Sequence, residues 1–203
     1  MYYVYDPETK IFEYTSSVYV ENSTTVSPPD DNDWYTLSFN GSEWVFDQDL
    51  LDAYIQKQNE VRQEKYLKKL SDLCDFKTHQ AFEYLTGNPY SQLQVDRYKQ
   101  KYEMAKAFLD GNTSLKDEFS LEAKIQGVTV TQLCTLIVSL GDQYKKAMGV
   151  FMSRIEAFRV AVKKMIFNNE FVRVRYIIGE AYKLGADATD ETIQNLLNYN
   201  PNI

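Results

Sequence analysis

The sequence predicts an α+β fold that is mainly α: a small N-terminal β-hairpin unit followed by a helical region with one long heptad-like amphipathic helix. Three observations predict it. The first 46 residues hold two aromatic-rich segments interrupted by turn residues. From Leu50 onward the chain is rich in Gln, Lys, Glu and Leu, with few helix breakers. From Leu133 to Met165, apolar residues recur at spacings of three and four. The expected division is 1–48 as an antiparallel β domain, 49–112 as a helical connector and 113–203 as a C-terminal helical domain.

The elements follow in order. Tyr2–Tyr5 and Lys10–Tyr14 are aromatic and β-branched and flank Asp6-Pro-Glu-Thr9. Pro7 presets φ for a turn, and the Asp6 carboxylate accepts from backbone N–H groups just downstream, so a hairpin is expected. Thr36–Phe39 and Glu43–Phe46 flank Asn40-Gly41, a pair that tolerates the positive φ of tight hairpins. The polar stretch from Asn22 to Asp33, with Pro28 and Pro29, reads as a loop. The two hairpins must cover Tyr5, Phe12, Tyr14, Trp34 and Trp44 against each other or against a partner.

Leu50 to Phe76 has no Gly or Pro and reads as an exposed helix with a thin stripe of Leu51, Tyr54, Ile55, Val61, Leu67, Leu70 and Leu73. Thr78–Leu85 reads as a separate short helix, stopped by Gly87-Asn-Pro89. Helices are expected over Tyr90–Leu109, stopped by Gly111, and over Leu115–Gln126, stopped by Gly127. Thr129-Val-Thr-Gln132 fits a capping box, in which the Thr hydroxyl and the Gln side chain each satisfy a free backbone donor. After it, Leu133, Ile137, Leu140, Tyr144, Met148, Phe151, Ile155, Phe158, Val162 and Met165 form one seam, ended by Asn168-Asn169. A seam of that length, on the order of 50 Å, demands cover from neighbouring helices or from a second copy. Gly141 and Gly149 are points where another helix can approach. Phe171–Ile178 alternates like a strand but sits among helices and is read as helix, and Thr189–Leu197 is a final capped helix.

Composition excludes several function classes. The chain has 203 residues, 22 basic and 29 acidic, for a net charge of −7. No apolar run reaches the roughly 20 residues of a membrane span. The opening Met1–Pro7 has neither the basic nor the apolar part of a secretory signal, which predicts a cytoplasmic protein. Two cysteines, Cys74 and Cys134, make no disulfide framework and fit a reducing compartment. The lone His79 has no partner ligands at zinc spacing, and Asp30–Asp33 lack the glycine and glutamate of a calcium loop, so no metal and no cofactor are expected. No phosphate-cradling glycine loop and no nucleic-acid motif is present. Asn22 and Asn40 match glycosylation acceptors by chance spacing. Charge is polarised: residues 1–52 hold eleven acids and one base, and residues 143–177 hold eight bases and two acids. Such asymmetry either solvates two faces or steers docking.

Three N-terminal motifs, Tyr3-Val-Tyr-Asp-Pro-Glu-Thr-Lys10, Asn22-Ser-Thr-Thr-Val-Ser-Pro-Pro29 and Phe39-Asn-Gly-Ser-Glu-Trp-Val45, resemble the start of tail-fibre assembly proteins of tailed bacteriophages and prophages. The helical segments Arg97–Gly111, Leu121–Leu133 and Arg154–Arg159 are similar to helical regions of the same phage tail proteins. The resemblance implies a chaperone or accessory factor that holds a trimeric fibre tip while it folds, acting in the cytoplasm of the bacterial host. It implies a tail-fibre protein as partner; the long seam adds self-association into a homo-oligomer, and composition and the missing motifs add no enzymatic activity and no nucleic-acid or membrane partner. On this reading Tyr3, Tyr5, Phe12 and Trp44 face the partner. Leu133, Ile137, Leu140, Tyr144, Phe151, Ile155, Phe158 and Val162 set assembly. The alternatives are a structural tail component or adhesin retained in the virion, and, against the helical character, an enzyme acting on host glycans.

Overall fold

The computed structural model describes residues 1–29 and 36–200. The expectations for Trp34 and for the acidic run Asp30–Asp33 lie outside those residues. The chain divides into two compact units, Met1–Lys65 and Tyr66–Ile203.

In the first unit, β1 (Tyr2–Tyr5) pairs antiparallel with β2 (Phe12–Ser16) and with β3 (Ser23–Thr24), giving a three-stranded sheet of order β2-β1-β3. The first hairpin is as the sequence suggests, but its loop is longer. Asp6 Oδ1 accepts from the backbone N–H of Glu8 and Thr9 and from the Thr9 hydroxyl, and Lys10 then takes φ 62° before pairing begins at Phe12. Strand β3 corrects the loop expectation for residues 22–33. Its two small polar residues carry no apolar pattern, and only main-chain pairing with Tyr3 and Val4 makes them a strand. Strands β4 (Leu37–Phe39) and β5 (Trp44–Phe46) form the second hairpin. Its turn is held by Asn40 Oδ1, which accepts from Ser42 and Glu43, while Gly41 supplies φ 101°. An isolated bridge from Ile11 to Ser38 links the two sheets.

Helix α1 (Gln48–Thr86) is continuous, which corrects the expected break before Thr78. No Gly or Pro interrupts residues 48–86, and a backbone donor with no competing geometry stays in the helix ladder. Helices α2 (Gln92–Leu109), α3 (Lys116–Gln126, entered through a 3-10 turn at Thr113–Leu115) and α4 (Val130–Phe167) lie where the sequence places them. Gly127, at φ 67°, ends α3 in the left-handed conformation, and its cap bonds return to Ala123 and Lys124. The capping box of α4 is complete: the Gln132 N–H donates to Thr129 Oγ1 at 3.1 Å, and the Thr129 N–H donates to Gln132 Oε1 at 2.9 Å. Helices α5 (Phe171–Lys183) and α6 (Asp190–Leu197) complete the second unit.

Helix α4 is the spine of that unit. The 3-10 turn and α3 together meet it at 93°. Its N-terminal half packs on α2 and α3 around Ala105, Phe119, Ala123, Leu133 and Cys134. Its C-terminal half packs on α1, α5 and α6 around Leu70, Leu73, Phe158, Val162, Ile166, Val174 and Ile177. Between them, Phe82 stands edge-on to Tyr90 and Tyr144. One 38-residue helix thus serves two cores.

Candidate functional site

The sequence singled out an aromatic set in the β unit. The structure brings it together around Trp44. Tyr5 and Phe12 stand edge-on to Trp44, with ring centroids 6.4 and 5.9 Å apart, and Tyr3 lies 6.4 Å from Phe12. Trp44 is buried with Leu37 and Phe39, and Tyr3, Tyr5 and Phe12 pack against that trio. The indole N–H of Trp44 donates to the Val26 carbonyl at 2.9 Å, so the ring also fastens the segment after β3. Trp44 belongs to the unit's buried core, and Tyr3, Tyr5 and Phe12 are half-buried against it. A unit this small has few other side chains with which to exclude water. Among the described residues of the β unit, large apolar groups left exposed are Met1, Tyr14, Val18, Tyr19, Val26 and Phe46; Tyr19 is 70% exposed and Phe46 60%. Tyr19 stands edge-on to Tyr2.

The α4 seam is likewise consumed within the chain at both ends. Leu133, Phe158 and Val162 are buried in the two helical cores, so they are not available for contact with another copy. Ile137, Tyr144, Phe151 and Ile155 are half-buried, and Leu140 is 54% exposed. Leu136, one turn before Leu140, is also exposed. The seam is covered within the chain at Leu133, Phe158 and Val162, partly covered at Ile137, Tyr144, Phe151 and Ile155, and open at Leu140.

Both thiols sit in apolar surroundings. Burial pushes the Cys74 thiol up, and burial does the same to Cys134. That shift favours the neutral thiol, opposite to an activated nucleophile. His79 stacks on Tyr90, ring centroids 3.8 Å apart. Among the described residues, no three or more His, Cys, Asp or Glu converge as a cation site. No single helix there is long and apolar enough to cross a membrane. Four of the eight bases in 143–177 have carboxylate partners: Lys145 with Glu103, Arg154 with Asp190, Arg159 with Glu156, and Arg173 with Glu170.

Sequence reasoning missed a feature of the second unit. Three cations donate to main-chain carbonyls around α5 and α6: Lys77 to Leu184, Arg154 to Ala188 and Arg173 to Leu197. Leu184 and Leu197 end helices, where the dipole is negative, so cations there are favoured. Lys77 and Arg154 also line a cavity of about 70 Å³ between α1, α4 and the α5–α6 loop. A signal existed. The inward residues of α1 fall at Tyr66, Leu70, Leu73, Lys77 and Ala81, so a lysine occupies a core-facing position. The expected stripe includes the buried Leu70 and Leu73, but it also runs through exposed Tyr54, Ile55 and Val61 and stops short of Lys77.

Compared with known proteins, the chain matches no family model, no curated protein and no solved structure.

Proposed function

We propose that this chain is a phage tail-fibre assembly factor that works through contact surfaces, binding a fibre tip and assisting its folding and trimerisation. Fibre tips are intertwined β-structures whose edges and apolar surfaces are open before closure, and such intermediates aggregate unless covered. The observation that carries the reading is the apolar set that the β unit leaves outside its own core: Tyr14, Val18, Tyr19, Val26 and Phe46. Exposed aromatics of this kind supply large contact area with little entropy to lose. The N-terminal motif resemblance supplies the fibre as partner. In this reading these five residues extend the contact set beyond the half-buried Tyr3, Tyr5 and Phe12, with Trp44 holding the unit together beneath them. Self-association in this scheme uses what α4 leaves uncovered, Leu136 and Leu140.

Co-expression with the fibre protein tests the proposal. The expected result is a higher yield of soluble fibre trimer with the wild-type chain. A Tyr19→Ser/Phe46→Ser double variant, which removes no core residue, loses that gain while keeping its fold by circular dichroism. Unchanged fibre yield with and without the wild-type chain overturns it. Mass spectrometry of purified virions then separates a transient chaperone from a retained tail component.

A further inference from the structure

The Asn40-Gly41 turn of the β unit carries a second inference, independent of the fibre reading. No other asparagine of the chain precedes a glycine. The Asn40 side chain curls past Gly41: its Oδ1 accepts from the Ser42 N–H, the Ser42 hydroxyl and the Glu43 N–H, each at 3.0 Å. Those bonds hold the side-chain carbonyl carbon, Cγ, beside the Gly41 nitrogen, an arrangement close to the one a ring closure needs. Three donors on one carbonyl oxygen also stabilise negative charge that develops there, as an oxyanion hole does. The Gly41 N–H and the Asn40 Nδ2 make no hydrogen bond among the described residues, so neither is held back. Residues 40–43 are exposed, and a Cβ built at Gly41 meets nothing within 4 Å, so solvent base reaches the nitrogen.

We propose that Asn40 modifies itself in the folded protein, closing a succinimide with Gly41 that opens to isoaspartate. The Gly41 nitrogen gives its proton to solvent base and attacks Asn40 Cγ. The N–Cγ bond forms, and the carbonyl electron pair moves onto Oδ1, among its three donors. When that pair returns, the Cγ–Nδ2 bond breaks and ammonia leaves with a proton from water. Water then opens the ring, at the main-chain carbonyl to give isoaspartate or at Cγ to give aspartate. The sum consumes water and releases ammonia, with no change of oxidation state. Isoaspartate inserts its β-carbon into the main chain between Phe39 and Trp44, which are buried and paired across the hairpin. It also adds a carboxylate close to Glu43 in a unit that is already acidic.

The test incubates the full chain at neutral pH in heavy-oxygen water, folded and, in parallel, unfolded in guanidinium. Proteolytic peptides that span Asn40 are then separated by chromatography and weighed. The folded chain is expected to show the mass gain of an amide-to-acid exchange with one heavy oxygen, and isoaspartate as the larger product. Its rate is expected to be at least that of the unfolded chain, because the turn presents Cγ and its three donors ready-made. Ser42→Ala removes one donor to Oδ1 and is expected to convert about two- to tenfold more slowly when folded, yet as fast as wild type in guanidinium. The proposal is overturned if Asn40 stays intact in the folded chain while the unfolded chain converts, or if the folded chain yields aspartate alone. Folded Ser42→Ala converting as fast as wild type overturns it as well. The wild-type comparison decides by itself even if Ser42→Ala does not fold.

Discussion

Replacing Gly141 by alanine tests the packing of α2 on α4 at its tightest point. A Cβ at 141 falls 2.2 Å from Tyr102 Cδ2 and 2.9 Å from Cε2. Carbon atoms prefer separations of about 3.5–4.0 Å, so the ring must retreat by more than about 1 Å. It is poorly placed to do so. Tyr102 is buried, its hydroxyl donates to Asp142 Oδ1 at 2.7 Å, and Lys145 Nζ sits 3.4 Å from its ring centroid. Overpacking of this kind costs about 1–3 kcal/mol, and losing the hydrogen bond adds about 1. Alanine returns about 1 kcal/mol of helix propensity. The balance is a loss of about 1–3 kcal/mol, a fall in Tm of roughly 3–10 °C for a chain of this size. Gly149 in the same helix is the control, because a Cβ there meets nothing within 4 Å. Gly149→Ala is expected to stabilise by about 0.5–1 kcal/mol. Urea and thermal unfolding followed by circular dichroism read both. If Gly141→Ala is as stable as Gly149→Ala, the claimed close approach is wrong. A Tyr102→Ala background provides the cross-check, since there Gly141→Ala is expected to become neutral or stabilising.

Phe158→Asp places a carboxylate in the core around Val162 and Ile166 and is expected to cost at least about 3–5 kcal/mol. Leu140→Asp, on an exposed position, is expected to leave the unfolding midpoint nearly unchanged while lowering the mass measured by light scattering if α4 self-associates; equal destabilisation of the two would refute the assigned burial. Thr129→Ala removes the α4 cap and is expected to lose about 1 kcal/mol, read from the urea midpoint. Asp6 is held below its ordinary value near 3.8, first by the Thr9 N–H and then by the Thr9 hydroxyl. A depressed carboxylate contributes stability that is present above the unfolded pKa and lost as pH falls through the lower folded one. Asp6→Asn should therefore flatten the acid limb of hairpin stability below about pH 4, followed by the amide resonances of Glu8 and Thr9. An acid limb of unchanged slope in Asp6→Asn would remove Asp6 as its origin.

The legible parts of this fold are those where one short stretch of sequence satisfies its own backbone. The Thr129–Gln132 cap, the Gly127 stop and the Asn40-Gly41 turn each close their hydrogen bonds within a few residues. The three-residue and four-residue spacing puts Leu133, Phe158 and Val162 on the inner face of α4 for the same reason, because helical geometry sets a face before any partner arrives, but it also takes in Leu140, which is exposed. The neighbours of Phe171–Ile178 favour helix against its strand-like alternation, and it is helix: Val174, Ile177 and Ile178 lie on one helical face that meets α4. Strand β3 shows the limit, since Ser23 and Thr24 pair by backbone alone. The candidate surfaces were the least legible. An aromatic residue has the same identity whether it seals a core, as Trp44 does, or stands in solvent, as Tyr19 does.

The sequence by itself determined the order of a β unit and a helical region, most helix limits and the inward stripe of α4, because these depend on local backbone geometry and side-chain periodicity. Only the tertiary structure decided that Tyr5, Phe12 and Trp44 spend their rings on one another. It alone decided that α4 is covered by α1, α2, α3, α5 and α6, and that Lys77 reaches the Leu184 carbonyl 107 positions away. The physical reason is that burial belongs to a pair of surfaces, and the second surface comes from a distant part of the chain.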